Sequence, residues 1–147
     1  MITITIPGPP IAKKRPQFAR RFKKGGKQYI ASIDTQETEE GKFLVQAMQQ
    51  FKDPPLTGYL ELSCGFYFPI PKSTSQKKRA MMLSEEIRPN KKPDLSNCIK
   101  FVEDCLNGLV WQDDVQIVSY GSMGKWYAEE PKTIIHIEIL EGEGGKR

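Results

Sequence analysis

The 147-residue chain holds one histidine, three cysteines and two tryptophans. A single histidine argues against a His-rich metal site and makes Ser-His-Asp or Cys-His catalysis depend on His136 alone. An odd number of cysteines argues against a disulfide framework and fits the reduced thiols of a cytoplasmic protein. No apolar run approaches the roughly 18 to 20 residues of a membrane span, so no membrane partner is expected. The opening Met1-Ile-Thr-Ile-Thr-Ile-Pro7 alternates and has no basic n-region, unlike a secretory signal. No internal repeat and no phosphate-cradling Gly-rich nucleotide loop is visible. With 38% hydrophobic and 27% charged residues, the chain is not collagen-like, mucin-like or a coiled coil. Its length fits one domain, expected over 1–140, with 141–147 as a disordered tail.

Acidic residues are absent from the first 27 positions, which carry eight basic side chains. The net charge of +4 thus conceals alternation: +8 over 1–27, −4 over 28–71, +5 over 72–92 and −5 over 93–147. Basic blocks attract phosphate backbones. Acidic clusters beside them repel the same polyanion unless metal ions sit between. In the first block, Lys13, Lys14, Arg15, Arg20, Arg21, Lys23, Lys24 and Lys27 interleave with Phe18, Phe22 and Tyr29. Read as a Gly-containing loop, this composition suits phosphate contact with base or sugar stacking. The alternative is a solvated loop that keeps the protein soluble. Uncompensated charge at this density favours nucleic acid. Lys91 and Lys92 extend the basic surface.

Ile2, Ile4 and Ile6 alternate with threonines, predicting a half-buried strand. A capping box at Asp34-x-x-Glu37, with Leu44, Ala47, Met48 and Phe51 at helical spacing, predicts a helix over 35–52. Leu60, Leu62, Cys64, Phe66 and Phe68 alternate as a second strand. Ser73 to Ile87 shows a weak helical pattern. The clearest helix runs from Asp94 to Leu106: Leu95, Cys98, Ile99, Val102, Cys105 and Leu106 fall within roughly 120° of arc. Asn97, Lys100 and Asp104 share another side, and Asn107-Gly108 ends the helix in a left-handed cap. Two late strands are expected, 115–127 with a break near Gly121 to Gly124, and 133–140. The order implies an α+β domain, a small mixed sheet with two or three helices against it.

Asp94 stands where an N-cap belongs, and its carboxylate is expected to accept backbone N–H bonds there. Asp113-Asp114 follow the helix at the start of a strand. If that strand returns past the helix start, Asp94, Asn97 and Asp113 or Asp114 offer hard oxygen ligands suited to Mg²⁺ or Mn²⁺. Lys100 could then neutralise charge developing on a phosphate. Spacing alone leaves open whether these acids are ligands or only caps and turns.

Lys92-Pro-Asp-Leu-Ser-Asn-Cys-Ile-Lys100, Asp104-Cys-Leu-Asn-Gly108 and Asp113-Asp-Val-Gln-Ile117 together resemble the RusA family of Holliday-junction resolvases. Gly8-Pro-Pro-Ile-Ala-Lys-Lys-Arg-Pro16 is similar to that family's Pro-rich, basic start. The resemblance is dense over 91–117 and follows element order to about 140. It implies a homodimeric, Mg²⁺-dependent endonuclease that nicks opposed strands of a four-way DNA junction. Asp94 matches the first motif aspartate, Asn97 the asparagine, Lys100 the functional lysine and Asp114 the late metal-binding aspartate, with Asp113 beside it. Catalysis would then rest on Asp94, Asp114 and Lys100. The departure is Ser96, where the family usually carries its second aspartate; a hydroxyl is a neutral and weaker ligand. Asp113, or a water held by Ser96, would compensate. The alternatives are a branched-DNA-binding protein with little or no cleavage and a basic assembly scaffold. Outside the motif, His136 reads as a half-exposed structural residue, Cys64, Cys98 and Cys105 as core, and Trp111 and Trp126 as packing residues.

Overall fold

The structure, a computed structural model, describes residues 1–14, 17–22, 28–33 and 37–141, with 17–22, 28–33 and Glu37 as backbone. The order is β1 (Ile2–Pro7), β2 (Gln17–Phe22), β3 (Gln28–Ile33), α1 (Glu37–Gln50), β4 (Leu60–Pro69), α2 (Gln76–Leu83), α3 (Leu95–Leu106), a 3-10 turn (Asp114–Gln116), β5 (Ile117–Ala128) and β6 (Lys132–Ile139). Four strands form one mixed sheet in the order β1-β6-β4-β5. Only the β4–β5 pair is parallel; β6 runs antiparallel to both β1 and β4. The expected α+β architecture is therefore present. Among the described residues no helix is long and apolar enough to cross a membrane.

The alternation in the strands sets one face of the sheet against the helices. Ile4 and Ile6, Leu60, Leu62, Cys64 and Phe66, and Ile135 and Ile137 are buried there against Phe43, Ala47 and Phe51 on the α1 side. From α3 come Cys98, Phe101, Val102, Cys105 and Leu106. Phe43 and Phe101 meet edge to face at 5.3 Å, and removing either ring would cost roughly 3–5 kcal/mol. Trp111 is fully buried in the same cluster, as expected of a packing residue. Gly108, at φ +82°, supplies the left-handed turn that ends α3. His136 accepts or donates a 2.9 Å bond to the Thr3 hydroxyl across β1–β6, a structural role.

Two expectations are corrected. The segment read as a basic loop contains strand β2, paired antiparallel with β3 in a sheet of its own, with Arg20 opposite Ile30 and Arg21 opposite Tyr29. Each stretch satisfies the other's backbone groups, and Phe18, Phe22, Tyr29 and Ile30 have the aromatic or β-branched character that favours extended chain. The break expected near Gly121 is instead a bulge within one continuous strand. Leu62 pairs with Tyr120 and Cys64 with Met123, so β5 carries one extra residue there. Ser122 N donates to Ser63 Oγ at 3.1 Å. A β-carbon on Gly121 would collide with that same oxygen, so only glycine lets the bulge close.

Candidate active site

The Pro10–Lys14 segment crosses the start of α3, fixed by a 2.9 Å bond from Lys13 N to Asn97 O. Between them lies a cleft of about 690 Å³ lined by Lys13, Lys14, Glu39, Lys92, Asp94 and Asn97. Asp94 holds the N-cap position at φ −66° and ψ 145°, as expected, but its side chain makes no capping bond. This corrects the sequence expectation. Three lysines line the same cleft. An aspartate at an N-cap that leaves its oxygens outward gives up roughly 1 kcal/mol of capping. The preceding Lys92–Pro93 peptide is cis.

Farther along α3 a second charged group forms. Lys100 Nζ lies 3.3 Å from Asp104 Oδ1, one turn on, and Lys13 Nζ lies 3.5 Å from Asp104 Oδ2. Lys13 also reaches Glu40 at 3.7 Å, and Lys14 reaches Glu39 at 3.7 Å. The hydrogen bond that Lys100 donates to Asp104 raises the Lys100 pKa, with the charges of Asp104, Asp114 and Glu103 adding to it. Asp114 joins this group: a hydrogen bond with Asp113 and partial burial raise its pKa, the Asp113 charge raises it further, and Lys100 opposes them. Asp113 itself is held as a cap, accepting from Val115 N at 3.2 Å in a reciprocal box with Gln116. Beside them Tyr120 donates to Glu103 at 2.6 Å.

The structure thus brings Asp94 and Asn97 into one cleft with Lys13, Lys14 and Lys92, and Lys100 into electrostatic contact with Asp114 and Asp104. Lys100 lies six residues beyond Asp94, about 9 Å along the helix. Lys91 is exposed just outside the cleft. Arg15, Lys23, Lys24 and Lys27 lie outside the described residues, and Arg20 and Arg21 are described as backbone only. Sequence reasoning missed Glu39 and Glu40, whose signal was a tandem acidic pair in the first turn of α1. It also missed Arg88 and Lys125, which hold the chain ahead of Asp94.

Among the described residues no three His, Cys, Asp or Glu side chains stand close enough to cage a metal ion. Mg²⁺ needs less: it binds through one or two carboxylates and completes its shell with water and substrate phosphate. The uncapped Asp94 carboxylate with the Asn97 amide beside it fits that demand, and a cage of three carboxylates does not.

The comparisons with known proteins extend beyond the motif. The chain is similar to the uncharacterized protein YqaN of Bacillus subtilis (strain 168), 32% identical over 138 residues, covering 92% of this chain and 94% of that protein. The sequence model of endodeoxyribonuclease RusA matches residues 7–138, from the end of β1 through β6, and takes in the cleft, α3 and the Asp113–Asp114 turn. With nearly the whole fold matched as well as the motif, the chain belongs to the RusA family of Holliday-junction-resolving endodeoxyribonucleases.

Proposed function

We propose that this chain, as one domain over about 1–140, is a Mg²⁺-dependent endonuclease that cuts opposed strands of four-way DNA junctions. In this reading Mn²⁺ can substitute, and the enzyme is a homodimer whose two-fold axis matches that of the junction. Beyond family membership, one observation carries the reading: Asp94 leaves its carboxylate uncapped in a cleft lined by lysines. Asp94 and Asn97 would hold the ion, with Asp114 as the second carboxylate implied by the motif and Asp113 beside it as the cap of the 3-10 turn. A bound ion supplies Lewis acidity and a water of lowered pKa. Lys100 sets its charge against the charge that grows on the phosphate, and Asp104 keeps its ammonium in place until then. Lys91, Lys92 and the basic segment that includes Arg15, Arg20, Arg21, Lys23 and Lys24 grip flanking phosphates.

The test is Asp94→Asn, assayed with labelled four-way, Y-shaped and linear DNA with and without Mg²⁺. Cleavage of the four-way junction should vanish while binding persists. A variant that cuts at the normal rate in Mg²⁺ removes Asp94 from the site. A wild-type protein that binds branched DNA and never cuts it leaves the second reading, a non-catalytic junction-binding protein, which Ser96 favours by lacking a carboxylate.

A further inference from the structure

We propose that Lys125 is a positioning residue: it fixes the strap 88–93 on strand β5 and thereby sets where Asp94, Lys91 and Lys92 stand. The proposal rests on the reading of the site given above.

Successive side chains of a strand point to opposite faces. Lys125 is the register partner of Phe66, which is fully buried, so it points to the helix-covered face. Trp126 partners Tyr67 and points to the other face. A lysine directed toward the covered face of a sheet is unusual and needs partners for its ammonium. Among the described residues Lys125 makes no ion pair. Its Nζ donates instead to two backbone carbonyls of the strap, Lys91 O and Pro93 O, each at 2.7 Å. The next residue is Asp94.

The other end of the strap is held by the same two residues of β5. Arg88 Nε donates to the Lys125 carbonyl at 2.9 Å, and the Arg88 guanidinium lies 4.5 Å over the Trp126 ring. Trp126 stacks on Tyr67 at 5.6 Å, and Lys132 Nζ lies 5.4 Å from the Tyr67 centroid, making a ladder across β5, β4 and β6. Gly124 makes room for it: a β-carbon there would stand 2.8 Å from Trp126 Cζ3 and 2.9 Å from Arg88 Nη2. Neighbouring residues therefore grip the strap from opposite faces of one edge strand, Trp126 at its start and Lys125 at its end.

A lysine that only filled space beside Phe68 would not need two carbonyls of the segment that delivers Asp94.

The test uses the full chain with Lys125→Met, which removes both donors, and Lys125→Arg, which keeps charge and donors. Three quantities are read: hydrogen exchange of the amides in 89–97, Mn²⁺ affinity by electron paramagnetic resonance, and the Mg²⁺ concentration for half-maximal single-turnover cleavage of a four-way junction. Groups that hold a metal ligand in place change metal affinity or activity by about 10–100-fold. Lys125→Met should therefore speed exchange and weaken both metal readouts by about tenfold or more, and Lys125→Arg should recover most of the loss. Should Lys125→Met fail to fold, Lys125→Gln, which loses the charge and one of the three N–H donors, is read in the same way. Faster exchange with unchanged metal readouts makes Lys125 a structural clamp only and overturns the proposal; unchanged exchange overturns it outright. A wild type that binds Mn²⁺ without cutting junctions refutes the functional reading while the Mn²⁺ affinity still decides Lys125. A wild type that neither cuts nor binds Mn²⁺ removes both.

Discussion

Replacing Asp104 by asparagine separates the electrostatics of the site from its scaffold. Its two carboxylate oxygens hold two lysines, Lys100 at 3.3 Å and Lys13 at 3.5 Å. The Lys100 side chain is 56% exposed and that of Asp104 30%, so the pairs lie in well-screened surroundings. Each such pair contributes about 0.2–1 kcal/mol, and a pair one helical turn apart about 0.3–0.5 kcal/mol. Losing both should lower stability by roughly 1 kcal/mol, which moves the Tm of a chain this size by about 2–4 °C. Cleavage should respond far more. Lys100 keeps only a neutral amide acceptor in place of the charged carboxylate that fixes its ammonium and raises its pKa, and a misplaced charge of this kind can slow a reaction by about 100-fold. Junction binding should hold or tighten, because a negative charge is gone and Lys13 keeps only its 3.7 Å pair with Glu40. Thermal melting, single-turnover cleavage and filter binding at one salt concentration resolve the three effects. A fall in Tm beyond about 8 °C would mean that Asp104 is part of the scaffold, outside the range for exposed pairs. An unchanged cleavage rate would mean that Asp104 does not place Lys100.

Two further predictions probe the bulge and the acidic pair. Gly121→Ala drives a methyl into Ser63 Oγ and should cost about 1–3 kcal/mol in urea unfolding. Ser63→Ala in the same chain should recover part of that loss, whereas strict additivity of the two changes would refute the clash. Asp113→Asn removes the neighbouring charge that helps hold the Asp114 pKa up, while asparagine keeps the N-cap. A metal ligand acts deprotonated, so relieving Asp114 should move the acidic limb of the cleavage profile to lower pH. A limb that stays or moves to higher pH would show that Asp114 is not the group that titrates.

Helix α3 was legible because its apolar residues repeat at helical spacing and its buried face matches that stripe. Phe101, just outside the arc, is buried in the core all the same, meeting Phe43 edge to face. Strands β2 and β3 were not legible: dense charge around β2 reads as a solvated loop, neither stretch alternates cleanly, and the two pair with each other in a sheet of their own. The same division holds in the site. Asp94, Asn97 and Lys100 announce themselves by position on one helix. That Asp94 would not cap, that Asp113 would, and that Lys13 would be shared by Glu40 and Asp104 depends on which segments approach in three dimensions. Lys125 is the extreme case, since its partners are carbonyls and carbonyls carry no side-chain signature.

Ser96 gives the arrangement its direction. It stands exposed in the first turn of α3, where the family usually carries a carboxylate, so that turn holds no acid and Asp94 stands just ahead of it as the N-cap. The cleft is lined by three lysines against two acids, Glu39 and Asp94, an excess of one positive charge. Such a lining attracts phosphate before it attracts a dication. On the proposed reading, DNA therefore enters first, and its phosphate completes a donor set that the protein leaves short. Affinities coupled in this way are reciprocal: DNA strengthens metal binding by the factor by which metal strengthens DNA binding. On the same reading, a second carboxylate at position 96 would strengthen metal binding in the absence of DNA, and serine leaves more of that binding to the substrate's phosphate.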